Sequence, residues 1–230
     1  MTALVCLPFA GAGASFYHSW QATAGDLTVV PVRLPGRERQ IDLEPYRDVH
    51  AAVDGVLHDV LDDLGDSKRV ILVGHSLGAV LAYELAHRLV NEPGVDVVRL
   101  FASGSPEPHT QRSRRATGLP DDEFIAQMRE FAGFSGEALD DEEMRELILP
   151  TLRADVEMHD NYVPSTKQPL PVPVTAVRGR SDELVSAAQA AAWAAVTSRE
   201  FDLAELPGGH MYLADDASSL LGLIKEIPCA

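Results

Sequence analysis

Apolar positions along the chain alternate between two patterns. Short continuous apolar runs at residues 4–8, 27–32, 69–73, 97–102, 172–177 and 200–206 predict strands buried on both faces. Between them lie stretches with helical spacing. Val49–Leu64 carries Val53, Val56, Leu57, Val60, Leu61 and Leu64 on one stripe, and residues 77–90 and 218–227 read the same way. Strands alternating with helices predict an α/β chain whose mostly parallel central sheet has helices on both faces. One region breaks the alternation. Between residues 107 and 171 no strand-like run occurs, and helical patterns fill the interval: 120–131 (Phe124, Ile125, Met128, Phe131), 139–149 opening on an Asp140-x-x-Glu143 capping box, and 150–162. The expectation is a single domain over residues 1–230 with a helical lid inserted at 107–171. Apolar Phe124, Met128, Phe131 and Met144 are expected to be exposed on that lid.

The run at 69–73 leads into Gly74-His75-Ser76-Leu77-Gly78 and then a long apolar helix. A serine between two glycines at a strand-to-helix junction fits a nucleophile elbow. The sharp turn projects Oγ above the sheet. Glycines on either side remove Cβ atoms that would collide with the neighbouring strand and helix. The Leu77 N–H, in the first helical turn, then points where an oxyanion would form. A serine hydroxyl needs a base, and the base needs an orienting acid. With an elbow, the acid and then the histidine follow the serine in the chain, each on a loop after a strand. Asp182, in "VTAVRGRSD", and His210, in "LAELPGGH", occupy such places. Glu107, after the fourth strand, is the rival acid, and the other use of Asp182 is as N-cap of a helix over 183–196. Among the other histidines, His50, His58 and His87 fall on helices. His18, His109 and His159 have no strand-end placement, and His75 is expected to pack or hydrogen-bond locally. The second oxyanion donor is expected from the small-residue loop after the first strand, at the N–H of Phe9 or Ala10.

Charge narrows the partners. Nineteen Lys and Arg against 35 Asp and Glu give a formal net charge of −16. That argues against nucleic acid and against an anionic membrane surface. No run is apolar enough for a membrane span, the first residues lack a signal-peptide layout, and the two cysteines, Cys6 and Cys229, imply no disulfide framework. The chain is expected to be cytoplasmic.

The motifs "LPFAGAGASFY…W", "LPGRERQ", "GHSLGA", "LPTLRADVEMHDNY", "VRGRSDELV" and "LPGGHMYL" together resemble the type II (editing) thioesterases of polyketide synthase and nonribosomal peptide synthetase pathways. The resemblance covers nearly the whole chain. It implies an α/β-hydrolase fold with a helical lid and hydrolysis of acyl groups from the phosphopantetheine arm of acyl or peptidyl carrier proteins. It implies the triad Ser76, Asp182 and His210, matching the reading from the residues. The glycine-rich loop reads Ala-Gly-Ala-Gly where many relatives have three glycines together, and Met211 stands where Phe is usual. Both departures bear on pocket shape more than on chemistry.

No metal or redox cofactor is required, since phosphopantetheine arrives on the partner. The alternative functions are a small-ester carboxylesterase and, from another class, a non-catalytic ligand-binding protein. Phe124, Met128, Met158 and Met211 are candidate acyl-pocket or lid residues. Arg112, Arg114 and Arg115 are the densest basic group and the candidate carrier-docking patch. Arg37 and Glu38 in "PGRER" and Asp155 in "LRAD" also match family motifs. They are read as structural: a turn with surface charges and a helix residue.

Overall fold

The structure is a computed structural model that describes residues 1–111, 115–132 and 137–228. Six strands, β1 Thr2–Leu7, β2 Leu27–Pro31, β3 Arg69–His75, β4 Asp96–Ser103, β5 Val174–Gly179 and β6 Phe201–Leu206, form one sheet in the order β2-β1-β3-β4-β5-β6. All neighbours are parallel. The central strands are buried along their length, which is why they read as unbroken apolar runs rather than as alternations. Edge strand β6 exposes Asp202, Leu203 and Glu205, and its two charges discourage pairing with another sheet.

Helices α1 (Val49–Leu64) and α2 (Leu77–Leu89) cover one face. Asp48 starts α1 by accepting a hydrogen bond from the Ala51 N–H at 2.8 Å. Helix α2 packs on β3, β4 and α1, and only His87 and Arg88 escape full burial. A 3-10 helix, Ala14–Ala22, packs on the opposite face. The sequence pattern did not separate it from the loop after β1. Tyr17 and Trp20 bury there, and the Tyr17 hydroxyl donates to the Leu7 carbonyl at 2.7 Å.

Between β4 and β5 run α3 (Asp121–Ala132), α4 (Glu137–Asp140) and α5 (Glu142–Asp160), with no strand among the described residues. Two sequence expectations change here. The helices expected at 139–149 and 150–162 are one continuous helix, α5, with Pro150 inside it. Its cap is Asp141, not Asp140, accepting from the Met144 N–H at 2.9 Å. Continuity follows from packing. Leu149, Leu152 and Val156 bury in one cluster across the proline, and Thr151 Oγ1 donates to the Gly36 carbonyl at 2.5 Å. Phe124 and Met128 are not exposed: they are 1% and 8% accessible inside this same cluster. Met144 is exposed at 42%, and the Phe131 side chain lies outside the described residues. The ends of the insertion meet, since Asp160 Oδ2 accepts from the Ala116 N–H, the Thr117 N–H and the Thr117 hydroxyl at 2.8, 3.0 and 2.8 Å.

After β5 come α6 (Ala187–Ala191), a 3-10 turn over Ala192–Val196, and, after β6, α7 (Tyr212–Asp215) and α8 (Ser218–Lys225). The helix expected at 183–196 is shorter. Its cap is Ser186, in a capping box with Gln189, and not Asp182.

Candidate active site

Strand order reverses between β1 and β3, and in open parallel sheets a crevice forms at such a switch point. Ser76 follows β3 there. It has φ 52° and ψ −116°, a left-handed conformation rarely adopted by a non-glycine residue. The turn is possible only between glycines. A Cβ on Gly74 would lie 1.9 Å from the Gly78 carbonyl oxygen, and one on Gly78 would lie 2.4 Å from the Leu7 carbonyl oxygen. The elbow is therefore pressed against the end of β1. The Ser76 N–H donates to the Ser103 carbonyl at 2.8 Å. Leu77 is the first residue of α2, so no intrahelical acceptor exists for its N–H.

Asp182 and His210 come together from the loops after β5 and β6. His210 Nδ1 lies 2.9 Å from Asp182 Oδ2. Asp182 Oδ1 accepts from the Leu184 and Val185 N–H groups at 2.8 and 3.0 Å, so both carboxylate oxygens are engaged. Burial pushes the Asp182 carboxyl up. The hydrogen bond and charge of His210 and the two backbone N–H groups outweigh that and hold it below its ordinary value. An ionised Asp182 accepts from Nδ1–H, which leaves His210 Nε2 as the free base position. Glu107 is occupied elsewhere: it accepts from the His109 N–H at 2.7 Å and the Thr110 hydroxyl at 2.6 Å.

His75 packs beneath this pair, its ring centroid 4.8 Å from that of His210. Its Nδ1 lies 2.9 Å from Ser103 Oγ, which is 2.7 Å from the Tyr212 hydroxyl. Burial, and then the neighbouring His210, push the His75 imidazole well below its ordinary value. It stays neutral where a second imidazolium would oppose protonation of His210.

A family model described as a thioesterase domain matches residues 2–227. The chain belongs to the thioesterase family. This thioesterase is 31% identical over 220 residues to the gramicidin S biosynthesis protein GrsT of Aneurinibacillus migulanus, covering 95% of this chain and 85% of that one. Among solved structures it is similar to the RedJ thioesterase from the prodiginine biosynthetic pathway in Streptomyces coelicolor. That match has a TM-score of 0.88 and 31% identity, over 99% of this chain and 85% of that one. It is also similar to YbtT, a type II thioesterase from the yersiniabactin NRPS/PKS pathway, with a TM-score of 0.86 and 30% identity over 98% and 92%. The thioesterase has the α/β-hydrolase fold and is a hydrolase of acyl thioesters.

The remaining expected site residues scatter. Phe9 is buried, and its ring meets those of Phe16 and His75 edge-on at 5.0 and 6.0 Å. Ala10 packs against the cluster holding Phe124 and Met128, as does Leu184 from the Asp182 loop. Met158 is core, 1% accessible in the cluster around α2. Met211 is half-buried against the opposite face. Of the basic patch, Arg115 donates to Asn161 Oδ1, while Arg112 and Arg114 lie outside the described residues. Arg37 is not a surface charge. It is 8% accessible and forms a two-pronged ion pair with fully buried Asp155. Glu38, at φ 51°, accepts from the Ser15 N–H at 2.8 Å. A charged residue sharing a helix face with apolar Leu152, Val156 and Met158 was the available sign that Asp155 needed a partner.

Proposed function

We propose that this thioesterase frees acyl groups from the phosphopantetheine arms of carrier proteins in polyketide or nonribosomal peptide biosynthesis, with Ser76 as nucleophile. The observation that carries the reading is the coupled Asp182–His210 pair, whose imidazole packs on His75, next in the chain to a strained Ser76. It occurs in a chain that aligns almost end to end with relatives named for such pathways.

His210 Nε2 takes the proton of Ser76 Oγ as Oγ attacks the thioester carbonyl. The N–H of Leu77 and that of Phe9 or Ala10 hold the oxyanion. The C–S bond breaks, the pantetheine thiol leaves with the proton from His210, and an acyl-serine remains. Water then gives a proton to His210 Nε2 and attacks the acyl carbonyl. The C–Oγ bond breaks, Ser76 recovers its proton and the free acid departs. Asp182 holds the tautomer and stabilises the imidazolium. Every step uses the chain's own side chains and backbone N–H groups. The apolar cluster over Ala10 and Leu184 serves as the roof of the acyl site.

The test is turnover of an acyl group presented on a carrier protein, on a small thiol and as the matched oxygen ester. The reading expects the largest kcat/KM for the carrier protein and the smallest for the ester. Equal or faster turnover of the ester would make the chain a small-ester carboxylesterase. Failure of a fluorophosphonate to label Ser76 would make it a binding protein.

A further inference from the structure

A second buried group of charges lies outside the triad. Arg37 Nη2 is 2.7 Å from Asp155 Oδ1, and Arg37 Nη1 is 2.9 Å from Asp155 Oδ2. The same Oδ2 accepts from the Gly11 N–H at 2.8 Å, and the same Nη1 donates to the Ala12 carbonyl at 2.8 Å. Asp155 comes from α5, Arg37 from the loop after β2, and Gly11 and Ala12 from the loop after β1. Three segments distant in sequence thus meet at one ion pair. A buried ion pair is a poor device for stability alone, since an apolar pair of similar volume often serves as well. What these four hydrogen bonds supply is geometry.

That geometry falls on one turn. The Ala12 N–H donates to the Phe9 carbonyl at 2.9 Å, so Phe9–Ala12 is a four-residue turn. Gly11 takes its third place with φ +79°, the value a type II turn demands there. The ion pair therefore grips the last two residues of the turn whose first two residues carry the candidate N–H donors. Leu152, one helical turn before Asp155, seals the grip. A Cβ on Gly11 would lie 3.2 Å from Leu152 Cδ1, so the helix and the turn are in direct contact.

We propose that Arg37 and Asp155 are positioning residues for thioester hydrolysis, aiming the Phe9–Ala12 turn so that its N–H meets the developing oxyanion. The inference rests on the reading above that this turn supplies the second oxyanion donor. The full loss of one such donor slows turnover by about 10²–10³-fold, and a misaimed donor costs part of that. The consequence is a loss in kcat with KM little altered, because the oxyanion exists only after attack has begun.

The test uses the whole chain, an acyl thioester of a small thiol, and a fluorophosphonate probe. Phosphonylation of Ser76 needs the nucleophile and the oxyanion donors but no carrier. In the double variant Arg37→Met/Asp155→Leu, kcat and the phosphonylation rate fall together by about 10–100-fold while KM stays within about threefold. Asp155→Asn keeps an acceptor for the Gly11 N–H and loses half of the fork, and it retains most of the rate. Arg37→Lys keeps the charge and breaks the fork. It gives a loss of about tenfold in both rates, and it decides the matter if the double variant does not fold. Wild-type rates in the folded double variant or in Arg37→Lys overturn the proposal. So does an Asp155→Asn variant as slow as the double. If wild type is phosphonylated at Ser76 yet hydrolyses no carrier-bound thioester, the proposed function fails, and the phosphonylation rates still judge the positioning role.

Discussion

Replacing His75 should flatten the dependence of stability on pH. In the folded chain this imidazole is 1% accessible, bonded to Ser103 and packed on His210, and burial holds it well below its ordinary value of 6.5. The unfolded chain takes up a proton as pH falls through that ordinary value, and the folded chain does not. Below pH 6.5 the unfolded state therefore binds more protons, and stability falls as pH falls. One pH unit below the unfolded value this amounts to about 1.4 kcal/mol for a single group, and above pH 7.5 to almost nothing. Asp182 does not contribute in this window. Its carboxyl is held below its ordinary 3.8, so its share is lost only at lower pH. His87, half-buried and also lowered by burial, adds to the slope in wild type and variant alike. The assay is urea unfolding at pH 7.5 and pH 5.5 for wild type and His75→Gln. The variant will be less stable at both values, since it loses packing under His210. The informative quantity is the fall between them, which should be smaller by about 1.4 kcal/mol in the variant. An equal fall in both proteins would show that His75 takes up a proton in the folded state and would refute the argument.

Ser76→Ala should abolish hydrolysis without moving the unfolding midpoint, checked by turnover and by thermal melting. Asp182→Asn should lower kcat by about 10⁴-fold, while Glu107→Gln, whose carboxylate bonds His109 and Thr110 of its own loop, should stay close to wild type. Gly74→Ala puts a methyl 1.9 Å from a backbone oxygen that has no room to yield, so soluble folded protein should be lost in an expression and circular-dichroism comparison. Phe124→Ala should cost about 3–5 kcal/mol if its cluster is fully formed in the free protein. A change in acyl-length preference measured on a carrier-bound substrate series, with little loss of stability, would instead make it a pocket wall.

The sheet, α1 and α2 were legible because their signals are local. Helix α1 begins and ends at the residues that the 3.6-residue period marks, and the elbow glycines announce a close approach before any contact is seen. Asp182 and His210 were legible for a similar reason, since each sits just past a strand that the apolar runs define. What escaped notice depends on distant partners. Pro150 reads as a break between helices until Leu149, Leu152 and Val156 are seen to share one cluster. Phe124 and Met128 read as exposed because their partners on α5 follow more than twenty residues later. Arg37 reads as a surface charge because Asp155 lies 118 residues away in sequence. The 3-10 helix escaped because the loop's small residues mask the spacing of Tyr17 and Trp20.

The hydrogen bonds from Ala116 and Thr117 to Asp160 close the insertion into a ring of chain. Closing such a ring costs only the logarithm of its length, about 0.6 kcal/mol for each doubling, so adding or removing ten residues within it shifts stability by a few tenths of a kcal/mol. The part of the ring beyond Pro150 is committed to Gly36, Arg37 and Gly11. The part before it touches the rest of the molecule mainly through its own apolar cluster. The ring thus has a half bolted to the catalytic base and a half held by apolar packing. Changes of length before Pro150 should therefore cost little stability as long as the apolar residues that pack on Leu152 and Val156, Phe124 and Met128 among them, are kept.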